Sequence, residues 1–334
     1  MSSLDTAVRI DKGSSPTKPK AGERIWRLTG DSLFHTAARF AAFLAVAVLF
    51  ATVIAITLDS WPSIKTFGVW GFLKSSQWDP VTNIFGAFPF IIGTLVSSAI
   101  AMVLAVPISF GTALFVAEIA PSWLKRPIAG AVELLAAIPS IVYGLWGLVV
   151  FAPAFAQVEP WINDTLGAIP GVGLLFQGPP MGIGMLSAGI ILAIMILPYI
   201  SSVMRDVFMA VPSSLRESAY AMGCTTWEVA WHIMLPYTRT AVIGGVFLGL
   251  GRALGETMAV TFVIGNSNVL SASLLMPGAT IPSVLANEFT EATSKLYLSS
   301  LIYLGLILIG VTLAVRLLAV LLLRRLASRE GAST

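Results

Sequence analysis

Two residues of opposite charge, Arg252 and Glu256, stand four positions apart in the otherwise apolar stretch G-L-G-R-A-L-G-E-T-M-A-V from Gly249 to Val260. On a helix, that spacing puts them one turn apart on nearly the same face. A charge in the middle of a bilayer is unfavourable by about 2.5 to 3.5 kcal/mol on insertion scales, so the pair is expected to face protein or water. A guanidinium is planar, offers paired donors and stays charged at physiological pH, which suits an anion with several oxygens. The carboxylate would hold the guanidinium oriented and partly neutralised until such an anion competes for it. Phosphate fits this chemistry, and so do sulfate, molybdate and phosphonates. The same two residues could instead form an ion pair that holds helices together; both readings stay open at this level.

The elements that must position this pair are membrane spans. The 334 residues are 56% hydrophobic and 11% charged, with a mean hydropathy of +0.86, which excludes a soluble globular domain. Apolar runs long enough to cross about 30 Å of hydrocarbon predict six helices, near 36–58, 88–117, 128–152, 184–204, 239–264 and 297–323. The second run is overlong and contains Pro107, which predicts a tilted or kinked span continuing into an interfacial segment. The expected class is therefore an all-α, polytopic integral membrane protein. Arg252 is expected near the middle of the fifth span, whose Gly245, Gly249, Gly251 and Gly255 would let neighbouring helices approach closely.

Lys and Arg placement sets the expected orientation, because short basic loops resist translocation. Arg9, Lys12, Lys18, Lys20, Arg24, Arg27 and Arg39 precede or open the first span. Lys125, Arg126, Arg205, Arg216 and Arg239 border the second and fourth loops, and Arg324, Arg325 and Arg329 follow the last span. The other three loops hold only Lys65, Lys74 and Lys295. Both termini are thus expected to be cytoplasmic, with a disordered N-terminal tail over 1–35, a six-helix membrane domain over 36–323 and a C-terminal tail over 324–334. The first apolar run is of full spanning length, which argues against a cleavable signal peptide. Topology accounts for the net charge of +3, so nucleic-acid binding is not inferred from it.

The fourth loop, expected over 212–236, contains the polar stretch from Glu217 to Pro236 and has its own local plan. Val211-Pro212 should break the preceding helix, and Ser214 with Glu217 forms a capping-box pattern that would start a short one. Gly223 should end it in a left-handed conformation, Thr225 with Glu228 should start a second short helix, and Pro236 should stop that one. Cys224 is the lone cysteine, so neither an intrachain disulfide nor a cysteine metal site is expected, and His35 and His232 lie far apart in sequence. No phosphate-binding G-x-x-x-x-G-K-[ST] loop is present, so ATP hydrolysis by this chain itself is not expected. Glu133 is expected at the cytoplasmic end of the third span in a packing or solvated role, and Pro139-Ser140 to kink that span. Arg316 is expected to snorkel from the sixth. Trp61, Trp70, Trp78 and Trp161 read as interfacial belt residues.

Glu217, Ala219, Gly223, Ile233, Leu235 and Pro236 carry the spacing E-A-A-x3-G-x9-I-x-L-P, with Ser218 in place of the second residue. This resembles the signature of the membrane subunits of ABC importers, whose corresponding loop is a coupling helix docked in a cleft of an ATPase. The resemblance implies a type I ABC importer permease fold and places Glu217, Ser218, Ala219, Gly223, Cys224 and Thr225 in the ATPase contact zone. G-R-A-L-G-E-T-M-A-V, with E-L-L-A-A-I-P-S-I-V-Y-G-L-W-G from Glu133 to Gly147, is similar to the PstC family of phosphate-importer permeases. Gly265, Asn266, Thr280, Ile281, Asn287 and Glu291 extend that likeness over most of 88–323. It implies phosphate passage at Arg252 and Glu256 and a bacterial inner-membrane location. The implied partners are a homologous PstA-like permease, two PstB-like ATPases carrying ATP and Mg, a PstS-like phosphate-binding protein and membrane lipid. The chain itself would bind no cofactor. A secondary anion transporter would share the spans but has no evident use for the Glu217 loop, and a membrane sensor would give no reason for charges at Arg252 and Glu256.

Overall fold

The computed structural model describes the backbone of residues 21–330 and the side chains of 33–323. Residues 1–20 of the expected tail and residues 331–334 lie outside the described part. Helix α1 (Ala21–Phe67) is already under way well before residue 36, in a stretch supplied with the helix formers Ala21, Glu23, Arg24, Arg27 and Leu28. Likewise α13 (Lys295–Glu330) continues helical beyond residue 323.

Residues 1–55 and 56–334 form separate units. In the first, α1 presents Phe40, Phe43 and Leu49 outward, an apolar surface suited to lipid. The second unit contains the remaining elements: α2 (Val69–Lys74), α3 (Phe88–Leu114), α4 (Ser122–Ala137), α5 (Ser140–Trp146), α6 (Ala152–Leu166) and α7 (Met185–Met209). After these come α8 (Ser213–Ala221), α9 (Thr226–Glu228), α10 (Leu235–Leu254), α11 (Met258–Thr261), α12 (Ile281–Glu288) and the helix α13.

Six helical segments among the described residues are long and apolar enough to cross a membrane: 33–67, 88–119, 140–166, 185–209, 226–254 and 295–323. Two differ from expectation. The third starts only at Ser140, because Ile138 (ψ 128°) and Pro139 (ψ 138°) are extended and interrupt the helix completely. A proline disfavours helical geometry in the residue before it and lacks an N–H, so the anticipated kink is a full break. Glu133 consequently lies on the separate helix α4, where its carboxylate pairs with Arg205 of α7 at 3.2 Å. The fifth span starts earlier, at Thr226, and ends at Leu254. Pro236 does not stop it: the π-helical turn Val229–Met234 leads directly into α10, and the altered hydrogen-bond register of that turn accommodates the proline's missing N–H inside a continuous helix.

Helices α3 and α7 form the most extensive helix pair. Their contact uses small residues, among them Ala101, Ala105 and Ala188, all fully buried. The overlong second span remains helical through Pro107 and finishes in the π turn Phe115–Ile119. A second core is aromatic, built from Phe72, Trp78, Phe85, Phe90, Tyr297 and Tyr303. Serines join the end of α1 to α13: Ser63 Oγ and Ser300 Oγ are 2.8 Å apart, and Ser299 Oγ donates to the Asp59 carbonyl at 2.8 Å.

Candidate functional site

Arg252 occupies the last turn of α10, where a cation is favoured by the helix dipole. Its Cζ lies 5.6 Å from the ring centre of Tyr199 on α7. The side of α10 that meets α7 carries Gly245 and Gly249, and a Cβ on these would approach Val203 to 3.0 Å and Ile200 to 2.6 Å. The expected close packing of this helix is therefore present, and it brings Tyr199 within reach of Arg252.

Glu256 is not on the same helix. α10 ends at Leu254, and Gly255 to Thr257 separate it from α11. The Glu256 carboxylate turns to the start of α11 and accepts the Ala259 N–H at 3.4 Å. The two residues form no ion pair among the described contacts, which corrects the same-face expectation: four-residue spacing aligns side chains only while the helix lasts. Arg252 remains exposed and without a carboxylate partner, and it stands near the end of the fifth span rather than near its middle. Arg316 lies at the same level, with its Nε 3.9 Å from the position of a Cβ on Gly251. The segment after the break is packed, with Ala259, Val260, Val263 and Ile264 buried. Irregular backbone at membrane depth is tolerated where it is buried in protein or lines a cavity.

The connection between α7 and α10 begins with α8. Its N-cap is Pro212, with no side-chain cap bond, so the Ser214 and Glu217 capping box does not form. Proline two residues earlier sets the helix start, and Ser214 lies inside the first turn, where its carbonyl accepts from Ser218 Oγ at 2.7 Å. The second box is present: Thr225 Oγ1 accepts the Glu228 N–H at 3.3 Å, and the Thr225 N–H donates to Glu228 Oε2 at 2.7 Å. Glu217, Ser218, Gly223 and Thr225 are exposed, Cys224 is half-buried, and Ala219 is buried with its carbonyl accepting the Cys224 N–H at 3.1 Å. Gly223 has φ 89°, and a Cβ there would meet nothing within 4 Å, so its requirement is purely conformational. Gly223→Ala is expected to destabilise the connection by about 1 to 2 kcal/mol. A lowered thermal midpoint checks this, and an unchanged midpoint contradicts it.

Sequence reading missed the cluster that fastens α8. Glu118, on the π turn after α3, accepts from Arg216 Nη1 at 2.9 Å and from the Tyr220 hydroxyl at 2.6 Å. Burial first, and then the Glu118 hydrogen bond, push the Tyr220 pKa up, so its hydroxyl stays a donor. A cavity of about 330 Å3 lies beside it, lined by Leu114, Glu118, Ile119, Thr226, Trp227 and Ala230. The one sequence signal was a carboxylate closing an apolar run. At the other end of the unit, Trp78 is buried rather than interfacial. Its Nε1 and the Tyr297 hydroxyl each donate to Glu288 Oε2 at 2.7 Å, which satisfies the indole N–H away from water. Trp61, Trp70 and Trp161 are exposed.

Residues 105–328 match the family model of binding-protein-dependent transport system inner membrane components. The phosphate transport system permease protein PstC of Xylella fastidiosa (strain 9a5c) is 56% identical over 85% of this chain and 88% of its own length. That of Mesorhizobium japonicum is 53% identical over 90% of this chain and 92% of its own length. The chain belongs to the PstC family. PstC proteins are permease subunits, so this is a multi-pass translocation component of an ABC transporter rather than an enzyme. A chain from a bacterial ABC transporter involved in the import of the acidic polysaccharide alginate superposes with a TM-score of 0.62, covering 90% of this chain and 99% of that one at 16% identity. The chain thus has the fold of a type I ABC importer permease.

Proposed function

We propose that this chain is a membrane-spanning permease subunit of an ATP-driven importer that moves inorganic phosphate into the cytoplasm by alternating access. The observation that carries the oxyanion class of the cargo is Arg252, a guanidinium at a helix end with no carboxylate partner among the described residues and open to an incoming oxyanion. Within that class, relatives named for phosphate transport over most of the chain support phosphate. Glu256, next to the helix break, would shape the passage as a separate group instead of neutralising Arg252.

In this reading both termini and the α8 connection are cytoplasmic, as the Lys and Arg bias indicates, in a bacterial inner membrane. Glu217, Ser218, Ala219, Gly223, Cys224 and Thr225 dock on one of two PstB-like ATPases, which hold ATP and Mg. A PstA-like permease completes the pathway and a PstS-like protein delivers phosphate. Energy input is required: a negative interior opposes an entering anion by about 2.3 kcal/mol per charge per 100 mV.

The test is ATP hydrolysis by the reconstituted complex. Phosphate with its binding protein is expected to stimulate hydrolysis, whereas sulfate and molybdate are not. Stimulation by another oxyanion would reassign the cargo, and uptake energised by an ion gradient alone would overturn the ATP-driven reading.

A further inference from the structure

Glu118 sits in a place where a carboxylate has little reason to be. It is on the π turn Phe115–Ile119 at the C-terminal end of the second span, where the helix dipole disfavours negative charge. Its side chain is only 8% exposed, so water compensates it poorly. Both oxygens are instead engaged by the neighbouring helix α8, one by Arg216 at 2.9 Å and the other by the Tyr220 hydroxyl at 2.6 Å. Arg216 and Tyr220 are one turn apart and grip the carboxylate like two fingers. Arg216 holds this position although its own Nε is buried without a hydrogen-bond partner. The carbonyl of Ala117, next to Glu118, accepts from Lys125 Nζ at 2.9 Å, which secures the same turn from the α4 side.

Separating α8 from this turn would break both hydrogen bonds to the carboxylate, one of them from a guanidinium, so movement of the two together is favoured. The turn leads back through α3 into its long contact with α7, and α7 carries Tyr199 beside Arg252.

We propose that Glu118 is a positioning residue that transmits displacement of α8 into α3, acting through Arg216 and Tyr220. The proposal rests on the reading that α8 docks on an ATPase. Without this linkage, α8 could follow its ATPase while the second span stayed behind, and hydrolysis would proceed with little transport.

The experiment compares Glu118→Gln and Tyr220→Phe in the complete reconstituted complex, measuring assembly, ATP hydrolysis and anion taken up per ATP. For Glu118→Gln we expect an assembled complex that hydrolyses ATP, with uptake per ATP reduced about tenfold, the scale of one charged hydrogen bond. Tyr220→Phe, which removes one hydroxyl and keeps the ring, should lower the same ratio by a smaller factor. Uptake and hydrolysis falling in proportion, or an unchanged ratio in both variants, would overturn the proposal. If Glu118→Gln fails to assemble, the ratio in Tyr220→Phe decides. The cargo assignment fails separately: the unaltered complex would then transport a different oxyanion, and the ratio would be read with that anion.

Discussion

Replacing Arg252 by Gln is expected to abolish phosphate uptake while the complex assembles and still hydrolyses ATP. The side chain makes no ion pair among the described residues, so its removal leaves no buried carboxylate behind. Its loss is felt when an anion enters a passage where water is scarce. Hydrogen bonds to a charged group contribute about 1.5 to 3 kcal/mol each, and the fork can make two, so uptake should fall about a hundredfold or more. Arg252→Lys keeps the charge without the planar fork and should recover part of the activity. Radiolabelled phosphate uptake into proteoliposomes measures both variants. Normal uptake by Arg252→Gln would remove Arg252 from the pathway.

Gly93→Ala should produce a large loss of stability. The added Cβ would meet the Ala279 carbonyl oxygen, which is backbone and cannot rotate aside. Moving that strand of chain would also disturb Thr280, which caps α12 through Ser283. It would strain the bond from the Ile281 N–H to Thr94 Oγ1, 2.9 Å long and on the helix of Gly93 itself. Overpacking of this kind costs about 1 to 3 kcal/mol even where side chains can adjust, so this backbone clash should lie at or above the upper end. Gly111→Ala on the same helix is the control: a Cβ there meets nothing within 4 Å, and removing a helical glycine should be neutral or stabilising by about 0.5 to 1 kcal/mol. Thermal midpoints of the two variants in detergent should move in opposite directions or differ by several degrees. Equal midpoints would contradict the contact.

The contrast between these glycines shows what is legible in a sequence and what is not. Span number follows from hydropathy, and the Gly223 turn and the Thr225 capping box follow from rules acting within a few residues. The third and fifth spans were misplaced because a long apolar run has no internal punctuation that separates a kink from a break. Pro139 interrupts its run, whereas Pro107 and Pro236 do not. The separation of Arg252 from Glu256 was hidden for the same reason, since four-residue spacing presumes a continuous helix. Glu118 with Arg216 and Glu288 with Trp78 were invisible for another: partners 98 and 210 positions apart leave no local pattern. Serine bonding between α1 and α13 belongs to the same class.

The unbroken fifth span has a mechanical consequence. Thr225 caps one end of it and Arg252 stands in the last turn at the other, with no loop between them. At 1.5 Å per residue the two are about 40 Å apart, so a tilt of about 10° pivoting at the cap would sweep the guanidinium through about 7 Å. That stroke is about twice the reach of a hydrogen bond. In the proposed pathway, a small rocking motion at the base would be enough to carry Arg252 from one side of a bound anion to beyond its reach.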